Sequence, residues 1–119
     1  MTTRRQRLGR WGEDQAVECL VATGYEIVGR NWRCPAGEID IVARHKNELV
    51  FVEVKTRWGA PPEESIGPEK QAKLVELAHR YVQLKGDEDR PWRIDVVLVE
   101  LTNEGKLRRI DVIESAIGE

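Results

Sequence analysis

Hydrophobic and polar residues alternate along two neighbouring stretches of the chain, residues 38–44 and residues 49–57. Alternation with a period of two is typical of β-strands that have one buried face. The short polar segment between the stretches, residues 45–48, has the length of a hairpin loop. The pattern therefore predicts a β-hairpin in which Arg44 pairs with Leu49.

One face of each predicted strand changes from apolar near the loop to charged at the far end. On the first strand, Ile39, Ile41 and Ala43 share one face and Glu38, Asp40 and Val42 share the other; on the second, Val50, Val52 and Val54 share one face and Leu49, Phe51, Glu53, Lys55 and Arg57 the other. The register places Asp40 opposite Glu53, and Glu38 opposite Lys55.

The predicted position of Asp40 opposite Glu53 has a physical consequence. Like charges directly across an antiparallel pair are destabilising. The pair therefore requires a bound cation or a raised pKa on one carboxyl. An ordinary solvated face is the other interpretation, in which Glu38 and Lys55 form a cross-strand ion pair of little energetic value. The apolar Leu49 and Phe51 on the same face favour a cleft over open solvent.

The rest of the chain supplies two helices and three further strands. Apolar residues at helical spacing predict helices over residues 3–23, ended by Gly24, and 68–85, ended by Gly86. Alternating runs predict strands over residues 25–30, 92–101 and 106–113. The resulting order is αβββαββ, which indicates an α/β fold with a mixed β-sheet of about five strands flanked by helices. The length of 119 residues suits a single domain.

Glu13 lies on the apolar face of the first predicted helix, together with Ala16, Val17 and Leu20. Such an acid either flanks the core and reaches solvent or points into the same cleft as Asp40. Residues 58–65 lack periodicity and predict a loop, either a substrate-contacting lid or a plain connection. Lys70 either helps to bind substrate or serves solubility.

Composition narrows the function without deciding it. The net charge of −2 argues mildly against a nucleic-acid binder, but the first ten residues contain arginines and no acid. These arginines are Arg4, Arg5, Arg7 and Arg10. No stretch approaches a membrane span and the N-terminus lacks a signal-peptide core, so a cytoplasmic protein without membrane association is expected. Two isolated cysteines, Cys19 and Cys34, predict neither a zinc site nor a structural disulfide.

Several motifs together resemble a known family. They are Gly12-Glu-Asp14, Gly24-Tyr-Glu-Ile27, Arg30-Asn-Trp-Arg33, Gly37-Glu-Ile-Asp40, Phe51-Val-Glu-Val-Lys-Thr-Arg57 and Arg93-Ile-Asp-Val-Val97. They resemble the YraN-like family of small bacterial proteins, which is similar to archaeal Holliday-junction resolvases. The Asp40…Glu53-Val-Lys55 pattern also resembles the signature of the restriction-endonuclease-like superfamily, whose core has the element order predicted above.

The resemblance implies a metal-dependent endonuclease that hydrolyses DNA phosphodiester bonds. Its metal ligands would be Asp40, Glu53, the backbone carbonyl of Val54 and Glu13, and Lys55 would be the catalytic lysine. Oxygen ligands select Mg²⁺ or Mn²⁺. Branched or duplex DNA is the implied partner, bound by a homodimer. Accessory or DNA-contacting residues would be Glu38, Arg57, Lys70, Arg4, Arg5, Arg7 and Arg10. The alternative is a non-catalytic module that keeps the fold and binds nucleic acid or protein.

Overall fold

The structure, a computed structural model, describes residues 2–59 and 66–117. The described residues form α1 (Arg4–Ala22), β1 (Glu26–Cys34), β2 (Gly37–His45), β3 (Glu48–Trp58), α2 (Pro68–Lys85), β4 (Trp92–Leu101) and β5 (Leu107–Ile117). This order confirms the predicted αβββαββ arrangement. Most of the predicted loop 58–65 lies outside the described residues.

A single five-stranded sheet, in the order β1-β2-β3-β4-β5, carries the fold. Strands β3 and β4 are parallel, with α2 between them in the chain, and the other neighbouring strands are antiparallel. Parallel neighbours require such a crossover connection. The α/β class and the mixed sheet are therefore confirmed.

The two helices cover opposite faces of the sheet. On one face, α2 packs Leu74, Leu77 and Tyr81 against residues that include Phe51, Ile94 and Leu98. On the other face, α1 packs Ala16 and Leu20 against residues that include Val50, Val52, Val97 and Val99. The alternation predicted for β3 and β4 is confirmed. Leu84, near the end of α2, is 71% exposed and lies outside this core.

The β2–β3 hairpin has the predicted register, with Arg44 paired to Leu49. In the described strands this pairing ends at Ile41 and Val52, one residue pair before Asp40 and Glu53. The predicted backbone pairing of Asp40 with Glu53, and of Glu38 with Lys55, is therefore wrong. The two strands part at the point where the charged residues begin.

Strand β2 also changes its packing at Asp40. Ile39 joins Val42 in the cluster that packs against α2, whereas Ile41 and Ala43 pack on the α1 side. The prediction that Ile39 shares a face with Ile41 and Ala43 is therefore wrong. The change coincides with the position at which β2 leaves β3.

The helix boundaries follow from local chemistry. Thr3 caps α1: its hydroxyl oxygen accepts from the Gln6 N–H, and the Gln6 side chain accepts from the Thr3 N–H. Gly24, just after α1, and Gly86, just after α2, have φ values of 97° and 72°, which favour glycine.

Two predictions from composition concern membrane spans and the two cysteines. Neither helix in the described part of the chain is long and apolar enough to cross a membrane. Cys19 and Cys34 are both free thiols.

Candidate metal centre

Three carboxylates from two elements converge beside the point where β2 leaves β3. They belong to Glu13 on α1 and to Glu38 and Asp40 on β2, and one oxygen from each lies within 4.8 Å of the others. All three residues are partly buried. A fourth acid, Glu53 on β3, interacts electrostatically with Asp40 from the neighbouring strand.

The parting of β2 and β3 positions Asp40. Its Oδ2 accepts a hydrogen bond of 2.9 Å from the backbone N–H of Val54. The carboxylate thus bonds to the β3 backbone just beyond the last paired residues of the hairpin. This contact fixes Asp40 close to Glu53 even though the two residues are not paired in the ladder.

A close approach of α1 to β3 positions Glu13. Gly12 is buried, and a Cβ atom at this position would collide with the side chain of Thr56. The absence of a side chain therefore allows the helix to lie directly on β3. Glu13, the next residue, reaches the acids on β2, and its side chain is only 17% exposed. Of the two interpretations of Glu13, the structure supports the one that points it into the cleft.

Burial and like charge dominate the electrostatics of this site. Burial raises the pKa of Asp40, and the negative charges of Glu53, Glu13 and Glu38 raise it further, to about 7, against the effect of the Val54 hydrogen bond. Burial also raises the pKa of Glu53, although Lys70 opposes this rise. The sequence analysis predicted either a bound cation or a raised pKa as the way to relieve the repulsion between Asp40 and Glu53. In the metal-free protein the repulsion is relieved by a raised pKa.

Nearby cations compensate the cluster only in part. Lys70 Nζ, on α2, lies 3.6 Å from Glu53 Oε2, so this lysine belongs to the site. Arg33 Nε donates to Glu38 Oε2 at 3.0 Å, and Arg30 bonds to Asp14 and lies 3.8 Å from Glu13 Oε1. These contacts order the rim of the cluster, while the pKa of Asp40 stays raised.

Asn31 is the site residue that the sequence reasoning missed. Its side-chain amide donates to Glu13 Oε1 at 3.0 Å and to Glu38 Oε1 at 2.9 Å, and so joins the helix acid to the strand acid. Asn31 lies in β1 with a φ of 53°, a conformation that asparagine tolerates better than most residues. The signal in the sequence was its place in the Arg30-Asn-Trp-Arg33 motif.

The remaining predicted site residues lie at different distances from the acids. Lys55 is half-buried on β3, two residues after Glu53, and Arg57 follows near the exposed end of the strand. Arg10 lines a cleft of about 410 Å³ together with Glu13, Asn31 and Glu38. Arg4 and Arg5 line a different cavity. Arg7 donates to the Thr2 carbonyl.

The donor set fits a hard divalent cation. Four carboxylates lie together, and two of them have raised pKa values because burial and mutual repulsion disfavour their charged forms. Carboxylate oxygens are the ligands that Mg²⁺ and Mn²⁺ prefer. A cation among Glu13, Glu38 and Asp40, near Glu53, would remove the repulsion.

The fold and this cluster define an α/β protein with a five-stranded mixed sheet and a candidate acidic metal centre. The chain belongs to the uncharacterised protein family UPF0102, the YraN family, whose sequence profile matches residues 12–99. It is 47% identical to a UPF0102 protein of Roseiflexus castenholzii, over 100% of this chain and 99% of that protein. A UPF0102 protein of Moorella thermoacetica is 42% identical over 98% of this chain and 99% of that one.

A solved structure with a partial likeness is Pyrococcus furiosus SfsA in complex with Ca²⁺. The TM-score is 0.42 and the sequence identity 15%, over 90% of this chain and 64% of the SfsA chain.

Proposed function

We propose that the protein is a metal-dependent endonuclease that hydrolyses DNA phosphodiester bonds, with branched, Holliday-junction-like DNA as its substrate. The observation that carries the proposal is the convergence of Glu13, Glu38 and Asp40 beside Glu53, with a raised pKa on Asp40. Buried like charges destabilise a fold unless a ligand or a proton compensates them, and strongly perturbed acids in clefts are typical of functional sites.

In this proposal, Asp40, Glu53, the Val54 carbonyl and Glu13 would hold Mg²⁺ or Mn²⁺, and Glu38, in the same cluster as Glu13 and Asp40, would offer a further oxygen. The bound ion would supply charge neutralisation for the phosphate and activation of the attacking water. Glu38 aligns the cluster, because it accepts hydrogen bonds from both Asn31 and Arg33. Asn31 holds Glu13 and Glu38 in fixed relative positions.

Lys55 has a separate role in the reaction. Phosphodiester hydrolysis places additional negative charge on the phosphoryl oxygens and on the leaving oxygen. The ammonium group of Lys55, on the same strand as Glu53, offsets this charge and orients the water. Arg57, Lys70 and the arginines of α1 are assigned to the DNA backbone, where cations bind phosphate without reading sequence.

Cleavage of labelled DNA tests the proposal. Four-way junctions and linear duplexes of the same sequence are incubated with Mn²⁺ or Mg²⁺ and with folded Asp40→Asn, Glu53→Gln or Lys55→Gln variants. We expect each substitution to reduce the cleavage rate by at least ~100-fold. Glu18→Gln, which removes an exposed acid elsewhere on α1, is the charge-matched control and should cleave normally. Full activity in Asp40→Asn or Glu53→Gln would contradict the proposal.

The ion pairs of the acids favour a second candidate, a non-catalytic module that binds nucleic acid or protein. Lys70 and Arg33 partner Glu53 and Glu38, so these acids also have a purely structural use. Such a module would bind junction DNA equally well with or without Mn²⁺. The wild type would not cleave DNA, and the substitutions above would leave binding unchanged.

A symmetric homodimer is part of the nuclease proposal, because two cuts at a junction require two sites. Analytical ultracentrifugation of the protein with and without a four-way junction measures this directly. We expect two protomers on each junction. A complex with a single protomer would remove the dimer from the proposal while leaving the cleavage chemistry in place.

A further inference from the structure

A second cavity lies between the start of α1 and the end of β3. It has a volume of about 680 Å³ and is lined by Arg4, Arg5, Leu8, Trp58 and Asn103. None of these residues lines the acid cleft described above. The proposed chemistry assigns Arg4 and Arg5 only a general attraction to phosphate and gives Trp58, Leu8 and Asn103 no role.

Trp58 is an exposed aromatic residue with a fixed orientation. Its side chain is 40% exposed, although tryptophan buries large apolar area in most folds. The indole N–H donates to the backbone carbonyl of Asn103 at 3.1 Å, so one edge of the ring is anchored. The Arg4 guanidinium carbon lies 4.5 Å from the ring centroid. The indole N–H is thus satisfied within the protein, and the exposed part of the ring is aromatic surface next to the Arg4 guanidinium that lies over it.

The combination of this ring with two guanidinium groups has a specific chemical preference. Nucleobases stack on aromatic side chains and on arginine, and arginine binds the adjoining phosphates. The first ten residues contain four arginines and no acid in a chain whose net charge is −2. Positive charge is thus concentrated where the aromatic surface is exposed. This pairing of charge and ring fits a nucleotide better than a purely apolar or a purely anionic ligand.

The cavity and the acid cleft are connected by the same two elements. Trp58 lies five residues after Glu53 on β3, which is about 17 Å at ~3.3 Å per residue. Arg4 lies nine residues before Glu13 on α1, which is about 14 Å at ~1.5 Å per residue. Successive nucleotides in a stacked strand are ~3.4 Å apart. A strand that crosses both sites would therefore place a base at Trp58 at most about five nucleotides from the phosphate at Asp40, and fewer where the strand is unstacked and extended.

We propose that Trp58, Arg4 and Arg5 bind an unpaired nucleobase and its phosphate from the strand that occupies the acid cleft. This inference rests on the proposed function and names its substrate class, DNA that has unstacked or single-stranded bases a few nucleotides from the cut. A base in a continuous duplex is stacked and paired, so its face is not available to Trp58. The site thus favours branched or gapped DNA over linear duplex.

Fluorescence anisotropy without divalent metal tests binding separately from cleavage. The probes are a labelled single-stranded oligonucleotide and a fully paired hairpin of matched length. We expect Trp58→Ala to weaken binding of the single strand by about tenfold to a hundredfold and to leave hairpin binding unchanged. Trp58→Phe retains an aromatic face and should keep most of the affinity. Equal single-strand affinity in wild type and Trp58→Ala would overturn the inference.

A second variant guards against a folding defect in Trp58→Ala. Arg4→Gln combined with Arg5→Gln changes only exposed side chains and should reduce single-strand affinity and its dependence on salt. No change in either quantity would contradict the site. Polyglutamate is added as a competitor, because equal competition by this anionic peptide and by unlabelled single strand would show an acidic-protein site instead.

Failure of this site and failure of the nuclease proposal give different results. Asp40→Asn should lose cleavage but bind the single strand as the wild type does. If no cleavage occurs with any substrate and single-strand binding still depends on Trp58, the base site stands and the nuclease proposal fails. If Asp40 is essential for cleavage and Trp58→Ala binds and cleaves gapped DNA normally, the base site fails alone.

Discussion

Two stretches of the chain share one local pattern and have opposite electrostatics. Glu38-Ile-Asp-Ile41 lies in β2 and Arg93-Ile-Asp-Val96 lies in β4, and each has a charged residue two positions before the aspartate. In β4 that residue is an arginine, which pairs with Asp95. In β2 it is a glutamate, which adds to the negative charge around Asp40.

Asp95 is the more buried of the two aspartates and has no exposed surface. Each of its two carboxylate oxygens accepts two hydrogen bonds. Oδ1 accepts from Arg93 Nε and from the Ser115 N–H, both at 2.9 Å. Oδ2 accepts from the Tyr25 hydroxyl at 2.7 Å and from Arg93 Nη2 at 3.2 Å. Arg93 is itself held by Glu48 and His45. This cluster is complete within the protein.

Asp40 has a backbone hydrogen bond from Val54 and acidic neighbours. Its pKa is raised to about 7 by burial and by the charges of Glu53, Glu13 and Glu38. The comparison teaches that burial alone does not mark a functional carboxylate, since Asp95 is more buried. What distinguishes Asp40 is its surroundings, because the charges of three neighbouring acids raise its pKa, whereas Asp95 pairs with Arg93.

The largest expected effect is on stability and concerns Arg93. Arg93→Met keeps a long side chain but leaves Asp95 buried without its cation, which typically costs ~3–5 kcal/mol. Urea unfolding measures this loss as a change in the free energy of unfolding. Arg44→Met removes the exposed ion pair with Glu26 and serves as the control, with an expected change below ~1 kcal/mol. A loss in Arg93→Met no larger than in the control would contradict the structural role of this cluster.

Asp40→Asn should have the opposite effect at alkaline pH. Because the pKa of Asp40 is raised from its unfolded value of 3.8 to about 7, the folded state binds a proton more tightly than the unfolded state. The associated stability is present below pH ~4 and is lost as the pH rises to about 7. The asparagine side chain of the variant cannot ionise. We therefore expect the metal-free variant to be more stable than wild type by up to about 4 kcal/mol at pH ~8 and equal to it near pH ~4.

Thermal unfolding of both proteins across this pH range measures the difference. Glu18→Gln controls for the general removal of one negative charge and should follow the wild-type pH dependence. A parallel pH dependence of wild type and Asp40→Asn would contradict the raised pKa.

The smallest expected effect concerns Lys70. Its ammonium group lies 3.6 Å from Glu53 and competes with a metal for this carboxylate. Lys70→Gln should therefore bind Mn²⁺ about two- to fivefold more tightly, consistent with a half-exposed ion pair. Lys73→Gln, which removes a lysine paired with Glu76 on the same helix, should bind as wild type does. Weaker binding in Lys70→Gln than in Lys73→Gln would show that Lys70 supports the centre instead of competing with it.

The sequence predicted the element order, the register of the hairpin and the alternating faces of β3 and β4, because these depend on local periodicity. It also placed Asp40 near Glu53, since the register required it. It did not predict where β2 parts from β3, or that Asn31 bridges Glu13 and Glu38. Both are tertiary features that leave no period in the sequence, and the same is true of the close approach of α1 to β3 at Gly12 that brings Glu13 to the acids of β2.

Calorimetric titration of Mn²⁺ at pH ~8 tests the central claim most directly, namely that the acids clustered around Asp40 form a metal centre. We expect wild type and Glu18→Gln to bind Mn²⁺ equally and Asp40→Asn to lose binding. In wild type, affinity should fall by about tenfold per pH unit below pH ~7, because the ion must displace the Asp40 proton. Wild-type affinity in a folded Asp40→Asn variant, or no binding to wild type, would contradict the claim.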